Sequence, residues 1–149
     1  MSDITRYLHT SVSDAKISLE GDLRANPPGA ARDALALLEA LQGREGQTSR
    51  RKVAASVLRK ASKALAESEE LDKHGVAAGD YYAEIPTGEL REWVQMTVED
   101  DPAKAAREML ATLTGLRGEH GTTSRRKILA AGIGKAAKAM TEEATPCTD

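Results

Sequence analysis

This chain of 149 residues predicts an all-α fold: a three-helix unit written twice, its two copies closed into a pseudo-twofold helical bundle. Three observations carry that expectation. The apolar residues are mostly Ala, Leu, Val and Ile, with no Phe, one Trp and three Tyr. Ala and Leu favour helices, and strand-favouring aromatics are scarce. Shifting the sequence by 75 residues aligns 26–67 with 101–142 without a gap, and 21 of those 42 positions are identical. Finally, the apolar residues recur at helical spacing within each copy. Two copies are too few for an open solenoid, so a closed pair in which each covers the other's apolar face is the natural arrangement.

The first helix of each unit is expected in "SVSDAKISLEGDL" and "TGELREWVQMTV", where Ala15, Leu19 and Leu23, or Leu90, Val94 and Val98, share a face. The second opens on Asn26-Pro27 and Asp101-Pro102, a capping side chain followed by Pro at the first helical position. It carries Leu35, Leu38 and Leu41, or Leu110, Leu113 and Leu116, and ends before Gly43 or Gly118 in a left-handed conformation. Thr48-Ser49 and Thr123-Ser124 then offer hydroxyl caps to a third, amphipathic helix. Val53, Val57, Ala61, Ala64 and Leu65 fall on one side, with Lys52, Arg59 and Lys63 opposite; Ile128, Ala136 and Met140 oppose Lys127 and Lys138. Gly132 and Gly134 replace Val57 and Arg59, which costs helix stability of roughly 1 kcal/mol each unless a neighbouring helix crosses closely. The units therefore divide as 1–70 and 81–149, the second with a polar tail, joined by an acidic, glycine-bearing linker over 71–80.

Charge is unevenly placed. The chain's net charge is −2, yet Thr48–Leu65 holds six basic residues and Thr123–Met140 five, with no acid in either. The remainder holds ten basic residues and all 23 acids, so +11 faces −13. Both windows open on Thr-Ser-Arg-Arg-Lys. Cations in a first helical turn oppose the helix dipole by a few tenths to ~1 kcal/mol each. Beside free amides and hydroxyls, however, they suit a phosphate or carboxylate. The expected anion-binding residues are Thr48, Ser49, Arg50, Arg51, Lys52, Arg59, Lys60 and Lys63. Their partners in the second copy are Thr123, Ser124, Arg125, Arg126, Lys127, Lys135 and Lys138.

A non-enzymatic binding protein is the function these residues point to, and duplex nucleic acid backbone is the expected ligand. Helix, glycine-bearing turn and basic helix resemble a helix-turn-helix pair, although any helical hairpin with a basic second helix would match. Four aromatics, none in a basic window, argue against stacking on single strands. The alternative is an adaptor or inhibitor that docks an acidic protein surface, which the net acidity favours. No cofactor or metal is expected: His9, His74 and His120 sit at unmatched places without ligand spacing, and no phosphate-binding glycine fingerprint occurs. Glu67, Glu69, Glu70 and Asp72 read as a solvated charge run, and Tyr81, Tyr82 and Trp93 as packing, with an aromatic partner patch as the alternative. A single Cys147, no run of the roughly 20 apolar residues that span a bilayer, and no apolar signal core in "MSDITRYLHT" lead to a cytoplasmic expectation.

Overall fold

A computed structural model describes residues 4–142, and among them every regular element is a helix. In chain order these are α1 (Thr5–His9), α2 (Val12–Ala25), α3 (Pro27–Leu41), α4 (Thr48–Glu67), α5 (Tyr81–Glu84), α6 (Thr87–Asp100), α7 (Pro102–Leu116) and α8 (Thr123–Glu142). The shift of 75 residues carries the bounds of α2, α3 and α4 onto those of α6, α7 and α8 to the residue. The expected caps explain why α3 and α7 begin where they do. The Asn26 side chain accepts from the Gly29 amide at 3.2 Å, and Asp101 accepts from Lys104 at 3.2 Å. Both end before a glycine of positive φ, +76° at Gly43 and +75° at Gly118.

Each half also has a short helix, α1 or α5, that three-helix units leave out. A helix of one turn has no apolar period to read. Each is instead anchored by one buried tyrosine, Tyr7 or Tyr82. The Tyr7 hydroxyl donates to Asp22 Oδ2 at 2.6 Å. Burial is the main cause that raises the ionisation of both phenols above the usual value, near 10 for tyrosine, and the Asp22 hydrogen bond adds to it at Tyr7.

α4 and α8 pair most extensively and sit at the centre, α4 also lying on α3 and α2, and α8 on α7 and α6. Their expected single apolar stripe is therefore too narrow. α4 also buries Ala54, Ala55, Leu58, Ser62 and Ala66, because it has neighbours on several sides. Small residues let such a helix approach them closely. Where α8 has Gly132, a Cβ would lie 2.3 Å from Val94 Cγ1 and 2.8 Å from Met109 Sδ, so α6 and α7 are the close neighbours that explain this glycine. At Gly134 the aliphatic stem of Arg59, on α4, lies across the helix. The buried residues of both halves join in one apolar cluster.

The segment between α4 and α5 is held against α7. A Cβ at Gly115 would be 2.5 Å from the Gly75 carbonyl oxygen, which explains glycine where the first copy has Ala40. Asp72 accepts from the His74 and Gly75 amides and pairs with Arg117 at 3.5 Å. That corrects the reading of Asp72 as part of a solvated run, whereas Glu67, Glu69 and Glu70 are exposed.

Candidate anion-binding surface

Three cations in the first turn of α4 and of α8 pose an electrostatic problem, and the geometry solves it without a ligand. Four of the six, all arginines, reach away from their own helix to backbone carbonyls elsewhere. Arg50 Nη1 donates to the Tyr7 carbonyl in α1, and Arg125 Nη1 to those of Tyr82 and Ile85 at 2.8 and 2.5 Å, where α5 ends. Arg51 Nη1 donates to Leu41 and Arg44 at 2.9 and 2.8 Å, at the end of α3. Arg126 Nη1 donates to Ala66 and Ser68 at 2.7 and 3.1 Å, at the end of α4. A cation among the last carbonyls of a helix is favoured by the dipole that opposes it at its own N-terminus.

This corrects the expected clamp. Arg51 and Arg126 retain only 2% and 6% of their exposure, so neither guanidinium fork is offered to an external anion. Arg50 and Arg125 are half-buried and already engaged. The hydroxyl caps differ as well: the N-cap of α4 is Gln47, without a side-chain cap bond. Thr48 Oγ1 accepts from Arg51 Nη2 and Thr123 Oγ1 from Arg126 Nη2, so each steadies a guanidinium.

The exposed cations are those further along each helix. Lys52, Arg59, Lys60 and Lys63 on α4, and Lys127, Lys135 and Lys138 on α8, are open to solvent, as are Ser49 and Ser124. Lys60 Nζ lies 3.7 Å from Glu20 Oε2 on α2. On the second half, α6 and α8 border a groove of about 730 Å³. One wall is Thr87, Arg91 and Gln95, the other Lys127, Ala131 and Lys135, with Ser124 towards one end and Val94, Ile128 and Gly132 on the floor. Residues four apart on a helix share a face, so each wall is one helical ridge. Three cations and no carboxylate line it. The sequence holds a signal for this groove in the acid-free window of α8. Arg91, on the least similar helix pair, is the member it missed.

The remaining residues separate into buried and exposed. Tyr82 is buried, whereas Tyr81 is exposed and meets Trp93 edge-on with ring centroids 5.2 Å apart. His9, His74 and His120 are all exposed. Among the described residues no cluster of three or more His, Cys, Asp or Glu could hold a metal, and no helix is long and apolar enough to cross a membrane. Cys147 lies outside the described residues. Comparison with protein-family models, with curated proteins and with solved structures finds no match to this chain.

Proposed function

We propose that this chain is a non-enzymatic binding protein that docks an acidic protein partner, as an adaptor or inhibitor would, through the exposed cations of α8 and the facing wall of α6. The observation that carries the reading is the α6–α8 groove, where Arg91, Lys127 and Lys135 surround an apolar floor without a carboxylate. Cations around apolar surface match a partner segment that is both acidic and apolar. Phosphate backbone would leave the floor unused. The guanidinium forks best suited to phosphate hold helix ends instead.

Duplex nucleic acid is the second reading, favoured by the seven exposed cations on α4 and α8 in windows free of acid. Fluorescence anisotropy of the full chain separates the two. A labelled acidic amphipathic peptide should bind, and a labelled random duplex should bind more weakly at every salt concentration. Nucleic acid would return to first place if the duplex bound more tightly and its salt dependence tracked the lysines. In that case the salt slope should fall by roughly 0.9 for each phosphate-neutralising lysine replaced among Lys52, Lys63, Lys127 and Lys138. The arginines are unsuitable for that test because they hold backbone carbonyls at helix ends.

A further inference from the structure

The two halves present three cations at matching positions and differ in what lies between them. The shift of 75 residues places Lys16, Lys52 and Lys60 of the first half on Arg91, Lys127 and Lys135 of the second. It also places Glu20 on Gln95. In the first half Glu20 Oε2 is 3.7 Å from Lys60 Nζ, so that strip supplies its own carboxylate. In the second half a neutral amide stands at the matching place. Among the described residues no carboxylate lies within ion-pair distance of Arg91, Lys127 or Lys135.

Size and spacing narrow what could fill the position. Lys127 and Lys135 are eight residues apart on α8, about 12 Å along the axis at a rise of 1.5 Å per residue. A single small anion cannot meet both. A helix of two to three turns can, with carboxylates along its flanks and apolar side chains towards Val94, Ile128 and Ala131. A volume of about 730 Å³ is that of a cleft taking several side chains, not of a surface wrinkle.

We propose that the α6–α8 groove is the docking site for an acidic amphipathic helix of a partner protein, and that Glu20 closes the matching strip of the first half to the same partner. The proposal rests on the acidic-partner reading above and adds where the partner sits, what shape it has and why one half alone takes it. Arg91, Lys127 and Lys135 meet its carboxylates. Gln95 sets the selectivity, because a carboxylate there would occupy Lys135 from within, as Glu20 occupies Lys60.

The probe is a fluorescein-labelled helical peptide of about 15 residues, with Leu at helical spacing flanked by Glu, alongside the same peptide with Lys for Glu. It is titrated against the full chain. Arg91→Glu and Lys135→Glu should each weaken the acidic peptide by about tenfold or more, since like charges then face each other. Gln95→Glu should weaken it by roughly threefold, and Lys52→Glu and Lys63→Glu by less than about twofold. These side chains are exposed, and matching thermal melts confirm that each variant folds. If affinity falls with Lys52→Glu and Lys63→Glu while the groove variants bind normally, the groove assignment is overturned and the acidic-partner reading stands. If neither peptide binds, or both bind equally, the two fall together.

Discussion

α4 and α8 begin with the same five residues, Thr-Ser-Arg-Arg-Lys, and use the second arginine in different places. Arg51 turns back to the end of α3, its own half's preceding helix, and Arg126 crosses to the end of α4 in the other half. One neighbouring residue accounts for the difference. Position 122 is Thr where the first copy has Gln47. The Thr122 hydroxyl donates to Glu119 at 2.8 Å and more weakly to Leu116 at 3.3 Å, the counterparts of the Arg44 and Leu41 carbonyls. With those carbonyls served, Arg126 is free to cap α4. Thr122 also accepts from Arg126 Nε at 2.9 Å, whereas Arg51 Nε is buried without a partner among the described residues. An identical motif is no guarantee of an identical role when the donors around it differ.

That comparison can be broken most directly at Arg51. Arg51→Ala should cost about 3 kcal/mol or more in urea unfolding, because it takes the donor from the Arg44 carbonyl, leaves Leu41 with the Arg44 amide alone and opens a void beneath α4. A change below about 0.5 kcal/mol, the size expected of a surface site, would discard the capping role. Thr122→Val should cost less, about 1–2 kcal/mol, since Arg126 still reaches the end of α4 and Leu116 keeps the Glu119 amide, while the Glu119 carbonyl loses its donor. The comparison is sharpened by adding Gln47→Thr to Arg51→Ala. If Thr122 is the substitute described, a threonine at 47 should recover about 1 kcal/mol. No recovery would mean that the two first turns differ for another reason.

The buried tyrosines at the matching positions 7 and 82 give a pH test. Their folded-state ionisation is raised, so the folded chain holds these protons more tightly than the unfolded one. Their contribution to stability is complete below pH near 10 and is lost as pH rises through the folded values. Stability followed by denaturant titration should therefore decline above a pH of about 10, and Tyr7→Phe should flatten part of that decline. The smallest effect is expected at Glu20. Glu20→Gln removes an exposed ion pair and should cost under about 1 kcal/mol, yet give the first half weak affinity for the acidic peptide. Stoichiometry by calorimetry checks it: one peptide per chain should move towards two.

The helices themselves were legible in the sequence. Asn26-Pro27 and Asp101-Pro102 mark starts, Gly43 and Gly118 mark stops, and the gapless shift fixes matching lengths. α1 and α5 were not legible, because one turn held by one tyrosine leaves no periodic trace. The exposed half of the candidate surface was also readable: Lys52, Lys63, Lys127 and Lys138 face water as their spacing implies. Arg91 is not legible there, because it lies outside the basic windows and joins them only across the α6–α8 groove.

By itself, then, the sequence determined the all-α class, the caps and stops of α3 and α7 and the acid-free windows, because each is set by residues within a few turns of one another. Tertiary structure decided where the arginines go. A guanidinium on a long stem can turn outward to an anion or inward to a carbonyl, and the nearby sequence is the same in both cases. The choice falls to whichever helix end lies within reach. At Arg51 that is the end of α3 and at Arg126 the end of α4, where hydrogen bonds to carbonyls in a dry interior offset the cost of drawing the cation out of water.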